Sequence, residues 1–146
     1  DFSMIANYVT GGGNRAYHHT APISMVYALH AGLGVVLEEG LSNVQARHQE
    51  CGDRLQQGLV QRGFELFAQE GHRLPELTSA IVPSNRLPAG IDEADVRRQL
   101  LSVYGIEIGG GLGPVAGQVW RIGCMGHTAR QRNVTLLLAA LDEILI

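Results

Sequence analysis

The stretch Tyr17-His18-His19-Thr20-Ala21-Pro22 sets hydroxyl groups and backbone amides at the mouth of an apolar run, Ile23 to Leu37. Thr20 has the side chain of an N-cap, and Pro22 suits a first helical turn, where its missing N–H costs nothing. A helix start leaves N–H groups unpaired and carries partial positive charge, so a phosphate or carboxylate is stabilised there. Tyr17 and Thr20 add two hydroxyl donors to such an anion site. Read locally, the same residues also fit a Thr that only caps its helix and a Tyr that only packs.

A second candidate lies near the other end. Val119-Trp120-Arg121-Ile122-Gly123 is a short β-type run with a charged residue between two large apolar ones. Side chains alternate across a strand, so Arg121 emerges on the face opposite Trp120 and Ile122. Gly109-Gly110-Gly111 and Gly113 precede it, a stretch so poor in side chains that backbone or ligand can approach closely. A guanidinium on a rigid strand beside open space suits bidentate binding of a carboxylate. A structural ion pair is the competing role for such an arginine.

Taken together and in order, Tyr17-His18-His19-Thr20-Ala21-Pro22, the helix from Ile23, Gly109 to Gly113 and Val119-Trp120-Arg121-Ile122-Gly123-Cys124-Met125-Gly126 resemble the class V aminotransferases. The likeness is to the alanine–glyoxylate and serine–glyoxylate branch. It implies pyridoxal 5'-phosphate as cofactor, a homodimer, and a large cofactor domain upstream of a smaller C-terminal domain. It implies that Tyr17 and Thr20 bind the cofactor phosphate of the partner subunit, and that Arg121 binds the α-carboxylate of the amino-acid substrate. The amino group would pass from alanine or serine to glyoxylate or a similar 2-oxo acid.

The eleven basic residues are all arginine, so the chain has no lysine. Pyridoxal-phosphate chemistry needs a lysine amine to hold the cofactor aldehyde and to move a proton between carbons. The family's lysine lies upstream of the Tyr-His-His-Thr motif, so the expectation is a C-terminal small-domain fragment, inactive by itself. A different class of reading stays open: a free-standing α+β module that binds a small anion or a protein partner and catalyses nothing. A desulfurase of the same superfamily would need a reactive cysteine in a mobile loop, and Cys124, directly after a strand, is poorly placed for that.

The rest of the composition narrows the classes. At 146 residues, 45% hydrophobic and net charge −3, the chain is long enough for one core and gives no reason to expect nucleic acid. No apolar stretch approaches an uninterrupted membrane span. Cys51 and Cys124 lack CxxC spacing and read as two reduced thiols, which favours a cytoplasmic setting. The six histidines form no convincing metal pattern. His19, beside Thr20, either lines a cofactor cleft or simply packs at the helix entry.

The elements that must position these residues follow from periodicity and punctuation. Residues 1–21 read as an irregular connecting segment carrying the phosphate motif, 22–40 as a long interface helix, and 41–146 as the C-terminal small domain. The 22–40 helix is apolar nearly all round, so it wants cover on two sides. Gly40 stops it, Ser42 to Gln45 carries a capping-box spacing for a helix with the stripe Val44, His48, Cys51, Leu55 and Leu59, and Gly63 ends that one. Strands are expected at 64–67, 78–83, 106–108 and 119–123. Asp92 caps a helix to Tyr104, and Thr128 to Gln131 opens a last helix along Val134, Leu137, Leu138, Leu141 and Ile144. The resulting order predicts an α+β fold in two layers, a mainly antiparallel sheet with helices on one face, like the small C-terminal domain of fold-type I pyridoxal-phosphate enzymes.

Overall fold

A computed structural model describes residues 1–10 and 19–145 of the chain. Tyr17 and His18 fall outside the described residues. The chain divides into two compact units, residues 1–40 and residues 41–146.

The first unit holds α1 (Phe2–Thr10) and α2 (Ile23–Glu39). Helix α1 corrects the expectation of an irregular start. The Asp1 carboxylate accepts the Ser3 N–H at 2.8 Å, satisfying one of the orphan donors of the first turn. His19 packs against α1, its ring 5.8 Å from that of Tyr8. Helix α2 ends at Gly40, whose positive φ of 85° lets its N–H turn back to the Val36 carbonyl. No residue of α2 is buried, and Met25, Tyr27, Leu29 and Leu37 are each more than 60% exposed.

The second unit is an α+β domain built on α3 (Leu41–Gln61), β1 (Leu77–Ile81), α4 (Glu93–Tyr104), β2 (Gly109–Gly110), β3 (Val119–Gly123) and α5 (Gln131–Ile144). The three strands form an antiparallel sheet in the order β1-β3-β2. Ala80 and Gly110 flank Trp120 in register, and Ser79 and Gly109 flank Arg121. Thr78, Ala80, Trp120 and Ile122 are buried on one face, in a core shared with Leu55 and Leu59 of α3, Val96 and Leu100 of α4, and the Val134 to Ile144 stripe of α5. Burying that many large aliphatic side chains, at about 1.5–3 kcal/mol each, is what holds the layers together. This is the two-layer arrangement expected from the sequence.

Two expected strands shrink. Leu66 makes a single bridge to Ala80, although Phe67 N–H and Ile81 N–H still pair across to Ser79 and Glu65. The expected 106–108 strand begins only at Gly109. Gly105 takes the left-handed conformation (φ 65°), and the Ile106 N–H closes the end of α4 on the Leu100 carbonyl, so it cannot join a ladder. Two expected caps also move. Helix α3 starts at Leu41, which places Ser42 inside its first turn. Helix α5 starts at Gln131 behind Arg130, and the Thr128 hydroxyl instead donates to the Met125 carbonyl at 2.8 Å within a short 3-10 turn, Gly126–Thr128.

Candidate functional site

Arg121 stands on the sheet face opposite the core, as the alternation in β3 requires. It is half-buried there, and its same-strand neighbour Gly123 is exposed. Its cross-strand neighbours are Ser79 and Gly109. The Nε–H donates to the Gly110 carbonyl at 2.8 Å. The Nη2 nitrogen lies 3.3 Å from where a Gly109 side chain would begin, so the absence of a Cβ at 109 makes room for the guanidinium. Among the described residues no carboxylate pairs with Arg121; the ion pairs run Arg62–Asp142, Arg97–Glu93 and Arg98–Asp95. The Nε–H is therefore committed to the protein, while no carboxylate among the described residues engages the terminal nitrogens. That leaves a fork suited to a carboxylate oxygen pair.

The glycine run is needed at a second point. A Cβ on Gly111 would sit 1.9 Å from the Val115 carbonyl oxygen, so the backbone of the Gly113–Val115 turn packs directly onto it.

On the other face, Glu93 in the first turn of α4 accepts hydrogen bonds from Trp120 Nε1 at 3.0 Å and from Arg97 Nε and Nη2 at 2.8 and 3.1 Å. The Arg97 guanidinium bonded to it, with help from the Trp120 indole, holds the Glu93 carboxyl below the usual range despite burial, and the same pairing raises Arg97. This cluster was not singled out from the sequence. Its only signal there is the Glu93/Arg97 spacing of four on a helix, which surface ion pairs share. Asp92 and Asp95 cap α4 reciprocally, as a capping box.

The turn that follows β3 is clamped by α3. Arg47 Nη1 donates to the carbonyls of Gly126 and Ala129 at 2.9 and 2.8 Å, and buried His48 accepts the Gly126 N–H on Nε2 at 2.8 Å. With Nδ1 against the Val44 carbonyl at 2.6 Å, the imidazole is the neutral tautomer with its proton on Nδ1. Its role is packing and turn closure. No cluster of metal-binding side chains occurs among the described residues.

Thr20 corrects a local expectation. The residue that precedes α2 is Pro22, with no side-chain cap, and the Ile23 N–H turns back to the Ala21 carbonyl at 2.8 Å. Thr20 thus lies two residues ahead of the capping position, exposed, and it does not serve as the N-cap. Pro22, with φ fixed at −75°, occupies the capping position itself and leaves Thr20 outside it. Tyr17 lies outside the described residues. Thr20 and Arg121 belong to different units.

The α+β fold of the chain is found in aminotransferases of known sequence and structure. The chain is 38% identical over 146 residues to the (S)-ureidoglycine–glyoxylate transaminase of Bacillus subtilis, spanning all of this chain and 33% of that protein. It is 40% identical over 147 residues to the alanine–glyoxylate aminotransferase of Callithrix jacchus, spanning 99% of this chain and 34% of that protein. The crystal structure of the alanine–glyoxylate aminotransferase of a Nostoc species superposes with a TM-score of 0.81 at 40% identity, over 99% of this chain and 36% of that one. No family profile matches the chain.

Its homologues over nearly the whole of this chain are thus alanine–glyoxylate and ureidoglycine–glyoxylate aminotransferases. The chain spans about a third of the length of the curated relatives that it matches. None of the described helices is long and apolar enough to cross a membrane.

Proposed function

We propose that this chain is the carboxylate-recognising, C-terminal part of a pyridoxal-phosphate aminotransferase that moves an amino group from alanine or serine to glyoxylate or a similar 2-oxo acid. The observation that carries the reading is Arg121, with Nε–H fixed on Gly110 and terminal nitrogens free of any carboxylate among the described residues. Amino-acid donors and 2-oxo-acid acceptors share one feature, a carboxylate next to the reacting carbon. A single fork that grips this group orients both half-reactions without reading the side chain.

Pyridoxal phosphate, when bound, supplies the aldehyde and the electron sink for amino-group exchange. The residues present fit its phosphate and not its aldehyde. Thr20 stands exposed just ahead of the 17-residue helix α2, whose N-terminal dipole favours an anion, and with Tyr17 it would hold the phosphate belonging to the partner subunit. No lysine exists in the chain to bond the cofactor. An upstream large domain and a second subunit are therefore part of the proposal, and the exposed apolar side chains of α2 support it, since a helix apolar all round needs cover. Two free cysteines go with a reducing, cytoplasmic location.

In the complete enzyme, Arg121→Ala should lower kcat/KM for amino donor and 2-oxo acid alike by about 2–4 kcal/mol, the cost of losing a charge-assisted bidentate contact. Steady-state kinetics with both substrates tests it. An unchanged dependence of rate on either substrate would remove Arg121 from the site.

A further inference from the structure

Strand β2 is only two residues long, both glycine, and pairs with β3 alone. Two backbone residues without side chains make a weak ladder, and glycine adds conformational freedom that the folded state must remove. Yet the Gly110 carbonyl is what holds the Nε–H of Arg121. Something besides the ladder has to keep that carbonyl in place.

Arg97 meets this need from the opposite face. Its Cζ, Nη2 and Nε lie 3.3, 3.3 and 3.4 Å from where a Gly110 side chain would begin, so the guanidinium packs closely against Gly110, tighter than an added Cβ would comfortably allow. Glu93 fixes the orientation of Arg97 through two hydrogen bonds and is itself tied to Trp120, the residue before Arg121 in β3. The contacts form a closed circuit: Trp120 to Glu93, Glu93 to Arg97, Arg97 onto Gly110, Gly110 to Arg121, and back along the β3 backbone. Trp120 is fully buried and Glu93 and Arg97 are mostly so, which makes this circuit stiffer than an exposed ion pair.

We propose that Glu93 and Arg97 are positioning residues for Arg121, holding its guanidinium in register with the incoming carboxylate by pinning Gly110 from the core side. The positioning depends only on the geometry above, and its consequence for catalysis rests on the function proposed for Arg121. A carboxylate fork that swings costs affinity for every substrate carrying that group, while leaving the chemistry of the bound substrate largely alone.

The test has two arms. In the 146-residue chain, exchange of the Arg121 Nε–H with solvent is followed by NMR in wild type, Arg97→Ala and the isosteric Glu93→Gln. Both variants should speed that exchange by roughly tenfold or more while backbone amides of α3 and α5 keep their protection. Unchanged Nε–H exchange in both folded variants overturns the proposal, and Glu93→Gln decides the matter should Arg97→Ala fail to fold. In the complete enzyme, Arg97→Ala should raise KM for amino donor and 2-oxo acid together by about tenfold with a much smaller change in kcat, and Arg97→Lys should not restore it, because an ammonium cannot lie flat on Gly110 and bond Glu93 twice. Arg121→Ala run in parallel separates the two ideas. If Arg121→Ala raises KM and Arg97→Ala does not, the positioning role is wrong. If Arg121→Ala itself leaves KM unchanged, the carboxylate reading fails, and the exchange arm alone decides the positioning role.

Discussion

Arg121 and Gly110 are joined across adjacent strands by a 2.8 Å hydrogen bond, in which the guanidinium Nε–H donates to the carbonyl of a residue that has no side chain. The bond consumes one donor and leaves the two terminal nitrogens as a fork of set direction. Lysine keeps the charge but has neither the fork nor an Nε–H to anchor. Arg121→Lys in the complete enzyme should therefore retain only part of the binding, losing about 1–2 kcal/mol of kcat/KM. Kinetics of both half-reactions checks this, and wild-type values would show that charge alone suffices.

Gly109 and Gly111, two positions apart, should behave differently. At Gly111 an added methyl meets the backbone carbonyl of Val115, which cannot step aside, so Gly111→Ala should destabilise by about 1–3 kcal/mol in urea unfolding. At Gly109 the neighbour is the far end of the Arg121 side chain, which yields by a few tenths of an ångström. Gly109→Ala should leave stability within about 0.5 kcal/mol of wild type and shift KM for carboxylate substrates instead. Equal destabilisation by the two would contradict the contacts described.

Acid should weaken the fold partly through Glu93. Because Arg97 holds the folded carboxyl below its unfolded value, the pair stabilises fully above the unfolded glutamate range, near pH ~4.3, and the contribution is lost as pH falls through the folded value. Glu93→Gln should lower stability at neutral pH and reduce the slope of unfolding free energy below about pH 5. Asp95 and Asp142, likewise depressed by hydrogen-bonded partners, keep some slope in the variant. Parallel curves for wild type and variant would assign the acid sensitivity to those groups alone.

The two cysteines should be chemically silent in the folded state. Burial, with Cys51 alongside, pushes the Cys124 thiol up to about 11, and burial raises Cys51 as well. At pH 8 both remain thiols, and the thiolate is the reactive form. A disulfide reagent should label neither until denaturant is added, then both. Fast labelling of the native chain would show that the α3 face opens readily.

A polypeptide of these 146 residues has no lysine amine to offer pyridoxal phosphate, only its own α-amine. Borohydride reduction of the mixture should add at most one cofactor mass, mapped to the N-terminal peptide. An adduct elsewhere would mean that another group in this chain reacts with the aldehyde.

Periodicity made much of the second unit legible. The stripes of α3 and α5 and the Asp92 start of α4 follow from residue spacing, because an amphipathic helix must bury its apolar face whatever it packs against. Caps were harder to read. Ser42 and Thr128 have capping side chains at capping-box spacing, yet α3 begins at Leu41, two residues before a Ser42 cap would start it, and Arg47 and His48 turn the chain ahead of α5 from 80 positions away or nearly so. The first helix carries little sequence signal, since Asp1 to Thr10 has no glycine or proline punctuation and a single local cap, Asp1 on Ser3, marks its start.

By itself the sequence determined which residue types were available: an arginine alternating against a tryptophan in one strand, glycines nearby, hydroxyls ahead of an apolar helix, and no lysine anywhere. These are properties of local order along the chain. Only the tertiary structure decided that Gly110 receives Arg121, that Gly109 makes room for it, and that Arg97 and Glu93 back the same two-residue strand from the far side. Strand register and helix docking bring together groups up to 27 positions apart, and no local spacing encodes a contact settled by how the sheet and its covering helix pack.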